Sequence, residues 1–160
     1  MERCTPLHAG AVAHQSGSGY PEPFNTSIGS STWQALGAPF GLTQFGVNLE
    51  VLKPGDQSAL RHWHTLSDEF VYVVSGTVTL VTDDGESPLT AGMCVGFRAG
   101  EPNGHHFINQ SSGEVQLLVM GTRVPGDTAF YPDDDLLWLP TPERKVAVHR
   151  DGSPYPQPVR

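Results

Sequence analysis

Short runs of alternating apolar and polar residues, interrupted about every ten residues by Gly, Pro or Asp-Gly, restrict the centre of this chain to β-structure. FGVNLEVL (45–52), EFVYVVS (69–75) and TVTLVT (77–82) have period-two patterning and are rich in β-branched and aromatic residues. Strands are expected at Thr32–Gln34, Leu42–Leu52, across His62–His64, and at Glu69–Ser75, Thr77–Thr82 and Pro88–Thr90. Further strands are expected at Met93–Phe97, His105–Asn109 and Val115–Arg123. Gly76 marks a bend, and Asp83-Asp84-Gly85 has the Asp-Gly pair of a tight hairpin. No segment holds helical spacing, so an all-β sandwich or barrel is expected.

The remaining residues set the limits of this unit. Residues 1–30 are polar, rich in Gly, Ser and Pro, and lack periodicity, which predicts an extended N-terminal arm. The barrel is expected over 31–124. From 125 to 160 Pro, Asp and Gly return, and Leu136, Leu137 and Trp138 form an apolar anchor. Val146–Val148 is expected as a late edge strand, in a tail that packs on the barrel or on a partner subunit. A net charge of −8 with only nine Lys and Arg excludes a non-specific nucleic-acid surface. The basic residues form no run beyond Arg144-Lys145, so no Lys/Arg cluster marks a phosphate pocket. No apolar stretch is long enough for a signal peptide or a membrane span. Two cysteines, Cys4 and Cys94, make no disulfide framework, and a cytoplasmic location is expected. Cys94 is expected as a buried structural thiol.

The chemistry concentrates at His62-Trp63-His64. On a strand, residues i and i+2 share a face, so the two imidazoles converge while Trp63 points away. Glu69 follows, and His105 supplies a third imidazole from a distant segment. Imidazole with carboxylate suits one divalent ion of the iron, manganese, nickel or zinc type rather than a thiolate-selective site. His8, His14 and His149 lie in the arm or tail and are expected to be solvated. Asp133-Asp134-Asp135 lacks EF-hand spacing and reads as a solvated turn.

The stretch Gly55…His62-Trp63-His64…Glu69…Gly76 (55–76) resembles the first motif of the cupin superfamily, and Gly96…Pro102…Gly104-His105…Asn109 (96–109) resembles the second. The flanks GLTQFGVNLEVLKPG, GTRVPGD, YPDDDL and HRDGSPY are similar to those of small bacterial single-domain cupins. The resemblance implies a double-stranded β-helix, a jelly-roll barrel with N- and C-terminal arms, with His62, His64, Glu69 and His105 as metal ligands. Six residues separate Gly55 from His62, one more than the pattern, and His105 lies nearer Gly104 than the pattern has it. His105 keeps the spacing to Asn109 and shares strand parity with Phe107 and Asn109. A bulge in this Gly-rich stretch would bring in His106 instead.

Arg61, Arg98, His106 and Asn109 are the candidate substrate contacts; the alternative for each arginine is an ion pair with a surface carboxylate. Taken together, these features predict a metal-dependent cupin enzyme acting on a small polar, oxygen-rich molecule. Its chemistry would be of dioxygenase, isomerase or lyase type. The alternative is a non-catalytic module that binds or senses a small molecule, with a structural or ligand-fixing metal. The arms predict a homodimer.

Overall fold

The computed structural model describes residues 5–141 and 144–156; Cys4 lies outside the described residues. The strands are β1 (Gln15–Ser16), β2 (Thr32–Ala35), β3 (Phe45–Leu52), β4 (Trp63–His64), β5 (Glu69–Ser75), β6 (Thr77–Thr82) and β7 (Gly85–Thr90). They continue with β8 (Cys94–Phe97), β9 (His106–Ile108), β10 (Val115–Thr122), β11 (Ala129–Phe130), β12 (Leu137–Pro140) and β13 (Lys145–Val148). One sheet runs β1-β2-β3-β10-β5-β8, a second β13-β12-β11-β4, and a third β7-β6-β9. This is the all-β jelly-roll barrel expected from the alternating runs. No helix among the described residues is long and apolar enough to cross a membrane.

Alternation determines the two faces of the large sheet. Val71 and Val73 of β5 are fully buried, while Phe70, Tyr72 and Val74 between and beyond them are exposed. Leu52, Val115 and Leu117 meet the β5 valines inside the barrel, with Val78, Leu80, Leu89 and Phe107 closing the opposite wall. Asn109 is also fully buried, and its amide donates to the carbonyls of Leu52 and Gly113, both at 2.8 Å. Its side-chain oxygen accepts from the amide and hydroxyl of Ser111, so Asn109 is a satisfied polar strut of the core rather than a group presented to a ligand.

Two turns depend on glycine. Gly76 has φ +84° between β5 and β6, and a Cβ there would lie 2.8 Å from the Glu114 carbonyl oxygen. The β6–β7 hairpin turns on Asp83-Asp84; Gly85, at φ +113°, opens β7 opposite Thr82 rather than occupying the turn.

Both ends of the chain are tied into sheets. β1 pairs with β2, and the Gln34 amide donates to the carbonyls of Ala9 and Val12, fixing the N-terminal segment to the sheet edge. The C-terminal segment does more than lie against the barrel. β11 pairs with β4 in the register Ala129↔His64 and Phe130↔Trp63, so it forms part of the wall that carries the histidine pair. A second core of Leu60, Ala129, Tyr131, Leu136, Ala147 and Tyr155 holds it there. His149 is bonded to Asp135 and stacked on Tyr155 rather than freely solvated. Cys94 departs from expectation: it is exposed, because it stands opposite Tyr72 on the outer face of β8.

The inner face of β3 carries Glu50, in register with Leu117 on one side and Trp33 on the other. Burial, reinforced by the charge of Glu69, raises its pKa to about 8. The folded state therefore binds this proton more tightly than the unfolded chain, whose glutamate titrates near 4.3. The resulting stabilisation is fully present below about pH 4 and is lost as pH rises through about 8. Urea denaturation near pH 5 and near pH 8 checks this. The wild type is expected to lose more stability than Glu50→Gln, by on the order of a few kcal/mol. Equal losses in both proteins would show that Glu50 ionises without penalty.

Candidate metal centre

The backbone brings the distant histidines together directly. His62 and His105 form an isolated antiparallel bridge, with His62 N donating to His105 O at 3.1 Å and His105 N to His62 O at 2.8 Å. Residues opposed in this way project side chains to the same side, and the two imidazole centroids lie 5.0 Å apart. His64, two residues beyond His62, falls on that same side with its ring 5.2 Å from that of His62. Trp63 alternates away and stacks on Phe130 at 4.9 Å. Glu69 enters from the first position of β5. His62, Glu69 and His105 offer ligand atoms that all lie within 4.8 Å of one another. His64 joins them through its Nε2, 3.9 Å from Glu69 Oε2.

The hydrogen bonds behind the rings fix their tautomers. His62 Nδ1 meets the Leu60 carbonyl at 2.8 Å and must donate, which leaves a lone pair on Nε2. His64 Nδ1 donates to Asp127 Oδ2 at 2.7 Å, with the same consequence. Asp127 is itself buried and also accepts from the amides of Leu66 and Ser67 and from Lys145 Nζ. Burial alone would raise its pKa, but these donors outweigh burial and hold it well below the usual carboxylate range. A carboxylate behind an imidazole is the arrangement that orients histidine donors toward a metal. His105 is held mainly by packing: Phe97 stacks on it at 3.4 Å, and its buried Nδ1 has no hydrogen-bond partner among the described residues. Its Nε2 lies 3.4 Å from Glu69 Oε1.

Electrostatically the cluster suits an ion. Burial lowers the His62 pKa to about 4, so the ring is neutral and its Nε2 remains a donor to a metal near pH 7. Burial works against ionisation of Glu69, yet the His105 hydrogen bond and the nearby imidazoles keep its pKa below the usual range. Imidazoles and an ionised carboxylate converging in a part-buried space form the donor set of a divalent ion.

Two cavities meet at this cluster, and His64, Ser67 and Glu69 line both. One, of about 200 Å³, is walled by Leu80, Val95 and Phe97, with Arg98 among its lining residues. The other, of about 480 Å³, opens across β3 and β10. There the inward positions next to Glu69 are Gly121 and then Gly46, so no side chain fills the floor.

Of the other candidates from the sequence, Arg98 alone lies along a cavity wall. Arg61 is bound to Asp133 at 2.6 Å and to Asp83, the surface ion pair that was its alternative. His106 turns to the other face, with Nδ1 on the Ala59 carbonyl at 3.1 Å, as strand parity required. Asn109 serves the core. Asp127 was missed because its partner lies 63 residues away and no local pattern announces the contact. Glu50 was also passed over, although in FGVNLEVL it shares parity with Leu52, whose side chain is core.

Comparison with known proteins agrees with this architecture. The Cupin domain family profile matches residues 48–121. A solved structure of a sugar phosphate isomerase of the cupin superfamily from Silicibacter pomeroyi is 41% identical, with a TM-score of 0.90 over 95% of this chain and 97% of that one. A second solved chain, from Acidithiobacillus ferrooxidans, is 26% identical with a TM-score of 0.74, covering 86% of this chain and 83% of its own. Protein SchB of Streptomyces halstedii is 32% identical over 78 residues, 49% of this chain, and the match spans about half (54%) of SchB. With the profile falling on the strands that hold Glu69 and the histidines, and the likeness to the Silicibacter protein running almost end to end, the chain belongs to the cupin superfamily.

Proposed function

We propose that the protein is a metal-dependent enzyme of isomerase type, acting on a small oxygen-rich molecule at one divalent ion held by His62, His64, Glu69 and His105. The observation that carries this reading is the release of Nε2 lone pairs on His62 and His64 toward Glu69, where two cavities meet. A site open to cavities on two sides suits an exchangeable ligand better than a closed structural ion does. The 41% identity to the Silicibacter sugar phosphate isomerase supports isomerisation over oxygenase or lyase chemistry.

When bound, the ion supplies Lewis-acid polarisation of substrate oxygens. The chain supplies the rest. The Leu60 carbonyl and Asp127 hold the His62 and His64 rings in their donor tautomers. Phe97 fixes the plane of the His105 ring. Leu80, Val95 and Phe97 place apolar surface beside the centre, which lowers the local dielectric and strengthens charge interactions there.

The protein purified without chelator is expected to contain about one divalent ion per chain, measured by elemental analysis. His62→Ala and His105→Ala are expected to lose it. Asp127→Asn keeps the ligands but weakens the support behind His64, with an expected loss of about 10- to 100-fold in metal affinity by competition with a chelator. Full metal content in His62→Ala would remove the assignment.

The partner implied by the outer face of the large sheet is a second copy of the chain. Phe70, Tyr72, Val74 and Met93 are exposed there, with no charged residue among the outward positions of β5. A two-fold axis would pair this patch with itself. Sedimentation is expected to give a dimer for the wild type and a shift toward monomer for Tyr72→Glu; a wild type that is monomeric at all concentrations contradicts this.

A further inference from the structure

The larger cavity beside Glu69 carries two cations that lie 22 residues apart in sequence, Arg123 just beyond the end of β10 and Lys145 at the start of β13. β10 brings Arg123 to the cavity mouth, and the β11–β12–β13 sheet brings Lys145 to the same wall. The sequence marks only the Arg144-Lys145 pair and nothing that links it to Arg123; the fold brings the two cations together.

Their bonding leaves donors to spare. Arg123 Nη1 donates to the Leu42 carbonyl at 3.3 Å, and among the described residues the guanidinium has no carboxylate partner. This differs from Arg61, which is occupied by two aspartates. Lys145 Nζ reaches Asp127 at 3.1 Å, but that carboxylate is already served by His64 and two backbone amides. The ammonium group is about half exposed and keeps further N–H donors for the cavity. Asp68 also lines the mouth, with one oxygen accepting from the Ala99 amide.

Space and charge point the same way. The Gly121 and Gly46 positions next to Glu69 leave an open floor between the cations and the imidazole cluster. A Cβ at Gly46 would stand 3.6 Å from Arg123 Nη2, so the guanidinium lies directly over that floor. Over Asp68, Glu69 and Asp127, the two cations leave the wall one charge negative; a divalent ion at Glu69 makes it one charge positive. The cavity thus favours an anion once the ion is in place. A forked guanidinium and a point ammonium on separate elements match the several oxygens of a phosphate better than the two of a carboxylate.

We propose that Arg123 and Lys145 form a phosphate subsite, seating the phosphate monoester of a substrate whose hydroxyl or carbonyl oxygens reach the Glu69 cluster. The proposal rests on the functional reading above and names its substrate class: a small phosphorylated hydroxy-carbonyl compound. Arg123 is then a residue of substrate specificity, separate from the metal-holding set. Its exposed position at a strand end gives it little part in folding.

Inorganic phosphate is the probe, titrated calorimetrically into the full chain as purified, with metal content measured in the same samples. The wild type is expected to bind it with a dissociation constant in roughly the millimolar range. Arg123→Gln is expected to bind at least about tenfold more weakly at unchanged metal content and unchanged thermal stability, as loss of a charge-assisted hydrogen bond demands. Arg123→Lys is expected to recover part of the loss. Unaltered phosphate binding in Arg123→Gln overturns the subsite, as does a metal-loaded wild type that binds no phosphate. Absence of metal from the wild type would instead count against the functional reading, so the two failures are distinguishable.

Discussion

Placing a carboxylate among three imidazoles inside a barrel is the constraint around which this structure is arranged. Glu69 is drawn inward by the parity of β5, whose next two inward residues, Val71 and Val73, are fully buried. Desolvation acts against its charge, and the surrounding imidazoles compensate. Those imidazoles reach it because His62 and His105 exchange backbone hydrogen bonds, and because β11 pairs with β4 to hold His64. Loss of the backbone bridge would separate the donor groups even if every side chain remained. The convergence of His62, Glu69 and His105 therefore depends on backbone pairing between segments some forty residues apart.

Much of this was legible in the sequence. The β-fold followed from period-two runs, and the side assigned to His105, Phe107 and Asn109 followed from parity alone; all three are buried. The choice of His105 over His106 rested on its spacing to Asn109, with parity in agreement; in the fold His105 Nε2 lies beside Glu69 and His106 Nδ1 meets the Ala59 carbonyl. What remained hidden was long-range. Asp127 lies 63 residues from His64, and no local pattern distinguishes it from an aspartate in a solvated Pro-Gly turn. Cys94 looked like a core thiol because cysteine is usually buried, but its place opposite Tyr72 on an outer face overrides that tendency. No Lys/Arg cluster in the sequence marks the place where Arg123 and Lys145 line one cavity, because linear clustering is a poor guide to what three sheets bring together.

The two cavities give the centre an asymmetry. One side combines the apolar Leu80, Val95 and Phe97 with Asp84, Arg98, Glu101 and Asn103, and the other is floored by glycines and edged with cations. Apolar side chains beside the cluster strengthen charge interactions there, while the other side carries Arg123 and Lys145. The two cavities also place the imidazole cluster, with Asp127 behind His64, apart from Arg123 at the mouth of the larger one.

The central claim is that four side chains from motif-bearing strands share one divalent ion. X-ray absorption spectroscopy of the metal-loaded protein tests it most directly, because imidazole rings give a distinct multiple-scattering signature. Scattering from three imidazoles together with a carboxylate oxygen, all within about 2.0–2.2 Å and without sulfur, is the predicted result. Sulfur in the coordination shell, or only one imidazole, would contradict the account.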